Sequence, residues 1–427
     1  MTSRLRALSV GAVAILLAAA VLVVAPANAG HDNDPRTQNL HPMGHIEEPA
    51  SLFHGPPTVH TDIAFWGRYA FQGNWLGINV RDISAPGNPR AVSSLECTGN
   101  QGDVLVWEDI LVRSWNSPAG AGATCDGQSV PVGFEGLHIF DVSDVTNLQL
   151  IGAVELECGS HTATAVPDPG NDRLLVYNSG SSSACQGIEI VEVPLNDPGS
   201  ASQINFIPLG RDCHDIGVIL GDAMMAACAG DDVYAALDLS SSLDAPSVLY
   251  ERSVPGVSIG HSAAFTWDGE VIVFGHEPGG GVASNCEASN PDSDKTYFFF
   301  DASDGTEVGR WVLPRPQSAT ENCTLHNLNV VPIRSGNYVL VHGSYLSGTS
   351  VVDFTDLENP VELAWSDPPA LDPIDLGGAW SSYWYNNFIY ETNITEGLNI
   401  FRFSGKETAG AMRLDHLNPQ TQMFTID

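Results

Sequence analysis

From residue 30 onward the chain alternates between short apolar runs, rich in β-branched and aromatic residues, and turns rich in Gly, Pro, Asn and Asp. No run repeats at helical period, so the pattern predicts an all-β protein. Residues 162–166, 173–178, 187–193 and 204–207 are four such runs in a row, the content of one four-stranded antiparallel unit. The third run of each unit follows a template. EGLHIFDVSD at 135–144 reappears as EGLNIFRFSG at 396–405, and shorter copies end at Asp82, Glu192, Asp238, Asp301 and Asp353. From position 82 to position 402 there are six intervals, a mean spacing of about 53 residues. That period belongs to propellers rather than to ankyrin or leucine-rich arrays.

Seven copies predict a seven-bladed β-propeller of four-stranded antiparallel blades. The seventh unit supplies only three strands, near 379–384, 388–391 and 398–401, so an extended segment around 40–50 is expected to complete it and close the ring. The organisation expected is a signal peptide at 1–29, an N-terminal arm at 30–59, the propeller at 60–404 and a C-terminal tail at 405–427, packed on the outside. Asp82, Asp141 and Asp353 read as turn formers whose carboxylates accept backbone N–H groups, rather than as ligands.

The first 29 residues are set apart. Arg4 and Arg6 precede an apolar run from Ala7 to Val24, and Ala27 and Ala29 place small residues where a signal peptidase reads them. No later stretch is long and apolar enough to span a bilayer. The expected product is secreted, with no membrane span. The chain carries 51 Asp+Glu against 17 Lys+Arg, a net charge of -34. Loss of two arginines with the leader makes it -36 (15 minus 51). Such a charge has no affinity for phosphate backbones, which excludes nucleic acid as a partner. The 43% of hydrophobic residues excludes a disordered acidic tail.

The recurring hydrophobic-Asp-Ile/Val-Ser-x-x-x-x-Pro unit, clearest at 82–89 and 353–360, resembles the LVIVD repeat. Over nearly all of the mature length the chain is similar to secreted actinobacterial LVIVD repeat-containing proteins, with matching stretches at 260–265, 274–278 and 380–384. The resemblance implies a propeller and assigns no activity.

The first strand of a propeller blade lines the central channel and begins at the face that usually carries the site. Aligning those strands puts His161, His214, His261 and His326 at one position in blades three to six, with Trp380 nearby in blade seven. Asp62, Asp103 and Asp215 sit one residue further down, and His276, followed by Glu277, ends a second strand close by. Converging imidazoles suit zinc, copper or iron, which with a vacant position activates water or oxygen. The same rings bonded to neighbouring backbones would merely close the channel, and direct binding of a small ligand is a third reading. His276, Glu277 and His342 read equally well as packed or solvated polar residues. Trp380, Tyr383, Trp384 and Tyr385 could stack a sugar, with core packing expected for at least two.

Eight cysteines and no CxxC pair point to disulfides rather than to a zinc ribbon. Cys97, Cys158, Cys213 and Cys323 precede first strands, whereas Cys125, Cys185, Cys228 and Cys286 follow or end second strands. Of the 105 pairings open to eight cysteines, the economical one joins 97 to 125, 158 to 185, 213 to 228 and 286 to 323. The function expected is binding of an extracellular ligand, envelope component or polysaccharide through the His-lined face. The alternative is a metal-dependent extracellular hydrolase or oxidase using the channel histidines.

Overall fold

The computed structural model describes residues 30–47, 59–182, 184–371 and 374–426. Residues 1–29, on which the expected signal peptide falls, and the part of the arm at 48–58 lie outside the described residues. Seven antiparallel sheets form the ring. Blade one comprises His60–Trp66, Tyr69–Asn74, Gly77–Asp82 and Arg90–Glu96, running outward from the axis. Blades two to six repeat this order, and in blade seven Leu40–Ile46 pairs antiparallel with Gly397–Phe403 as the outer strand. The ring is therefore closed by the N-terminal arm, as the missing strand required. No helix among the described residues is long and apolar enough to cross a membrane.

Inner strands are buried on both faces, so their sequences read as nearly continuous apolar runs, and the core lies between blades. The outer strands of blades two and four are instead mostly exposed or half-buried, each with one buried position.

One irregularity recurs in every blade. The third and fourth strands slip register once, leaving Val92, Ile151, Ile204, Leu249, Val308 and Leu363 unpaired in blades one to six and Met43 in the arm. Such a bulge strengthens the twist that splays the outer strand. The acidic residue just beyond it caps a turn: Asp82, Asp141, Asp238, Asp301 and Asp353 each accept the backbone N–H two residues on, at 2.8–2.9 Å. The loop that follows packs against the outer strand of the preceding blade. A β-carbon on Gly309 would collide with the Leu357 carbonyl, and one on Gly44 with that of Pro86. The repeat's Asp-x-Ser loop is thus a spacer between blades, the structural role expected of those aspartates.

The tail departs from expectation. It does not pack on the outside; it runs beneath the channel and bonds to the lower end of every blade. Met412, Asn386 with Leu414, and the Asp415 carbonyl with Gly67 tie it to blades six, seven and one. Asn418 bonds both backbone groups of Val106, Thr421 the carbonyl of Ala165, and Thr421–Gln422 pairs parallel with Asp215–Ile219. Gln422 then reaches the Phe265 N–H, and Ile426 the Trp267 carbonyl. Innermost strands have an edge with no neighbouring strand, and amide side chains without apolar periodicity are what such an edge accepts.

The four disulfides are 97–125, 158–185, 213–228 and 286–323, and no cysteine is free. All lie at the upper face, closing loops of 15 to 37 residues, each of which stabilises by roughly 2–4 kcal/mol.

His342 lies away from the channel, its ring edge-on to Tyr297 (5.0 Å) and Trp311 (5.2 Å). Burial holds its pKa down at about 3. The unfolded chain takes up this proton near 6.5 and the folded one only near 3, so the stability tied to it is lost as pH falls across that window. His342→Phe is expected to gain on the wild type by about 1.4 kcal/mol per pH unit between those limits, read from denaturant midpoints at pH 7, 6, 5 and 4. A constant difference would show that the ring does not titrate with unfolding.

Candidate metal centre at the channel mouth

Each inner strand starts at the upper rim, so the residue just before or at its start overhangs the channel rather than a neighbouring blade. That position brings His161, His214, His261 and His326 into one arc, with adjacent ring centroids 4.2, 4.2 and 4.3 Å apart. Trp380 closes the arc, 4.9 Å edge-to-face from His326. Register slips at the start of blades one, five and seven re-aim Asp62, His261 and Trp380 toward the axis. In blade two the position is Gly102, where a β-carbon would collide with the buried Arg113 guanidinium. Arg113 bonds the carbonyls of Asn74, Gly99 and Ser114.

In three of the four rings Nδ1 meets an acceptor, and in His261 it points toward Asp215 from beyond bonding distance. His161 Nδ1 meets Asn116 Oδ1 at 2.7 Å and His326 Nδ1 the Trp380 carbonyl. His214 Nδ1 lies 3.3 Å from Asp215 Oδ1, and His261 Nδ1 3.7 Å from Asp215 Oδ2. With Nδ1 carrying the proton in His161, His214 and His326, the Nε2 of each keeps its lone pair. His261 Nε2 and His326 Nε2 each lie 3.5 Å from a different oxygen of Glu277, and one nitrogen each of His214 and His261 stands within 4.8 Å of the other and of a Glu277 oxygen. Tyr345 donates its phenol to Glu277 Oε1 at 2.7 Å. Its φ of 51° is rare for a bulky residue, the kind of local strain that gathers at working sites.

Electrostatics separates the rings. Burial, followed by the neighbouring imidazoles, holds His161 and His261 well below the ordinary imidazole range. Burial acts the same way on His214, but its bond to Asp215 and the nearby Glu277 and Asp212 carboxylates outweigh it and raise the ring. One layer down, burial lifts the carboxyls of Asp62 and Asp103, each also raised by neighbouring carboxylates. Asp62 Oδ2 accepts from Tyr383 (3.0 Å) and from Gln420 of the tail (2.8 Å), so the floor of the cavity is tied to the tail. Asp103 accepts the N–H groups of Val104 and Ala163. The space between these layers is about 20 Å³, enough for one water-sized species and too small for a sugar.

Two solved structures share the architecture. "Kuenenia stuttgartiensis Hydrazine Synthase" superposes with a TM-score of 0.54 at 13% identity, over 84% of this chain and 99% of its own. A Lactobacillus plantarum protein matches with a TM-score of 0.54 at 10% identity, over 86% and 97%. At these identities the likeness is one of fold alone. No protein-family model and no curated protein sequence matches the chain.

Of the residues singled out from sequence, the four histidines, Asp62, Asp103, Asp215 and Trp380 line one cavity. His276 does not. It is fully buried between strands, its Nε2 accepting the Ser258 N–H (3.0 Å) and its Nδ1 donating to the Ser293 carbonyl (2.7 Å). Glu277 takes its place at the mouth because side chains alternate: His276 shares the face of Phe274, toward blade four, and Glu277 that of Val273, toward blade six. Asn116 and Tyr345 went unread. Asn116 follows the end of a second strand as Glu277 does, and Tyr345 lies two residues past one, so inspecting that place in every blade would have found them. A second grouping, His138 with Cys97 and Cys125, offers no thiolate because both sulfurs are in a disulfide.

Proposed function

We propose that this protein is an exported propeller that holds a transition-metal ion at its channel mouth, with His214, His261 and Glu277 as ligands and His326 and His161 flanking them. The observation that carries this reading is the convergence of His214, His261 and Glu277, with one ligand atom of each within 4.8 Å of the others, in an arc where three of the four rings bond an acceptor through Nδ1. Ligating imidazoles are commonly anchored in this way through their other nitrogen. Two imidazoles and a carboxylate suit iron, zinc or copper better than calcium or magnesium. Four disulfides at the upper face and the leader-like residues 1–29 support export, and the repeated Asp-x-Ser loop supports membership of the LVIVD repeat proteins.

The size of the cavity favours metal-dependent chemistry over docking of a polysaccharide. The space below the rings admits one water-sized species and no sugar, so a hydrolase or oxidase here would act on a group presented at the mouth, with the ion's open position left to water or that group. The test is elemental analysis of protein purified without chelator and then dialysed against zinc, copper(II) or iron(II). His214→Ala/His261→Ala is expected to lose one equivalent while keeping its melting transition. Wild-type protein that retains the same ion content as this variant would remove the reading.

A further inference from the structure

The C-terminal tail encloses a second cavity, at the end of the propeller away from the His-lined mouth. From Met412 to Ile426 the tail passes under blades six, seven, one, two, three, four and five in turn, nearly a full circle. A chain that follows a circle does not fill its centre, and the space it encloses is about 240 Å³. The apolar walls are Met412, Leu414, Leu417, Met423 and Phe424 of the tail and Trp267 of blade five. Leu417 and Trp267 are buried and the other four half-buried, so the cavity opens to solvent. Gln420 and Gln422, which bond Asp62 and Phe265 on the channel side, are not part of it.

The polar groups of the wall are already engaged. Asn418 spends its side-chain amide on both backbone groups of Val106, Thr421 its hydroxyl on the Ala165 carbonyl, and Trp267 its indole N–H on the Val330 carbonyl. Arg413 and Asp415 are exposed at the rim and carry opposite charges, so the entrance favours neither sign. Among the described residues that line the cavity, His416 alone keeps a buried polar atom, Nε2, without a hydrogen-bond partner. Burial holds this ring below the ordinary imidazole range, so it is neutral at pH 7, and one neutral ring nitrogen answers one hydroxyl. A charged ligand would find no counter-charge inside, and a sugar would leave most of its hydroxyls unpaired.

The volume and the walls narrow the class further. An apolar cavity of about 150 Å³ takes a benzene ring, so the larger one here takes about two fused rings. Trp267 and Phe424, 5.1 Å apart, offer ring surfaces, and the flexible thioethers of Met412 and Met423 adapt to the edge of an aromatic molecule and attract it. We propose that the circle of the tail binds an uncharged, planar aromatic molecule of about two fused rings with at most one hydroxyl group, seated among Met412, Met423, Trp267 and Phe424. The site is separate from the channel mouth and does not rest on the metal centre proposed there.

The experiment uses the full chain and 2-naphthol as the probe. Calorimetric titration is expected to find one equivalent, and the ligand to raise the thermal midpoint. In protein labelled with carbon-13 at its methionine methyls, those of Met412 and Met423 are expected to shift under the ring current of the probe, and that of Met43, on the arm, to stay. Met423→Trp and Leu414→Trp each place an indole in the cavity, and each is expected to weaken binding by about tenfold or more with the melting transition kept; two variants guard against a folding defect in one. Naphthalene-2-sulfonate, the same rings with a fixed charge, is expected to bind about tenfold more weakly or worse. No uptake of 2-naphthol, unshifted Met412 and Met423 methyls, wild-type affinity in both variants, or equal binding of the sulfonate overturns the proposal.

Discussion

Deleting residues 30–46 is expected to abolish the cooperative thermal transition and leave an aggregation-prone chain, the largest effect foreseen here. The arm supplies the whole outer strand of blade seven, six residue pairs with Gly397–Phe403. Leu40 is buried against Val331, Trp384 and Phe401, and truncating such a leucine to alanine alone costs about 2–5 kcal/mol. Loss of the full strand removes that contact, the backbone ladder and the junction of Gly44 with the Pro86 loop of blade one. It also bares the apolar strand Gly397–Phe403 as an open edge, which recruits other chains. The deletion protein should bind a hydrophobic dye and be cleaved within blade seven. A peptide of residues 30–46 added during refolding should restore the transition, because strand addition supplies the missing ladder in trans. A deletion protein that melts where the full chain does would show that three strands suffice for the blade.

What could be read in the sequence follows from how locally each feature is encoded. The blade count was legible because every third strand carries the same register slip and, in five of the seven blades, ends in a turn capped by an acid, as at Asp141 and Asp353. The missing strand was legible by subtraction. The four histidines were legible because they precede inner strands in equivalent places, and the disulfides because their cysteines flank those strands. The tail was not, since Asn418, Gln420 and Gln422 bond the edges of inner strands one residue at a time and leave no periodic trace. Nor was the choice between His276 and Glu277, adjacent residues that face opposite blades; deciding it requires knowing that a side chain reaches the axis only past the end of its sheet. The partners of the rings stayed hidden for the same reason. Asn116 approaches His161 from the neighbouring blade, 45 residues away, and Trp380, though placed near the arc from sequence, meets His326 through its backbone carbonyl, which no residue type signals.

Truncation after Arg413 is expected to change access to the channel far more than it changes stability. The tail's bonds to the inner strands each contribute about 0.5–1.5 kcal/mol, but ordering each tail residue costs about 1–2 kcal/mol, so much of the gain is offset and the shortened ring should still fold. The floor, however, disappears. Gln420 no longer reaches Asp62, whose remaining side-chain partner is Tyr383. The stack of His416 on Trp66, 4.5 Å apart, and its edge contact with Trp107 are lost, as is the cover that Phe424 gives Trp267. Three tryptophans therefore become accessible from below, and their emission should shift to the red and be quenched by acrylamide. An ion at the channel mouth should exchange with a chelator at least tenfold faster, since water then approaches it from both ends. The aromatic contacts and the access route are separable: His416→Ala should expose Trp66 and Trp107 while leaving exchange slow, because Gln420 and Gln422 still span the channel. If truncation leaves both quenching and exchange unchanged, the inner strands themselves close the lower end and the tail is a lacing without a barrier function.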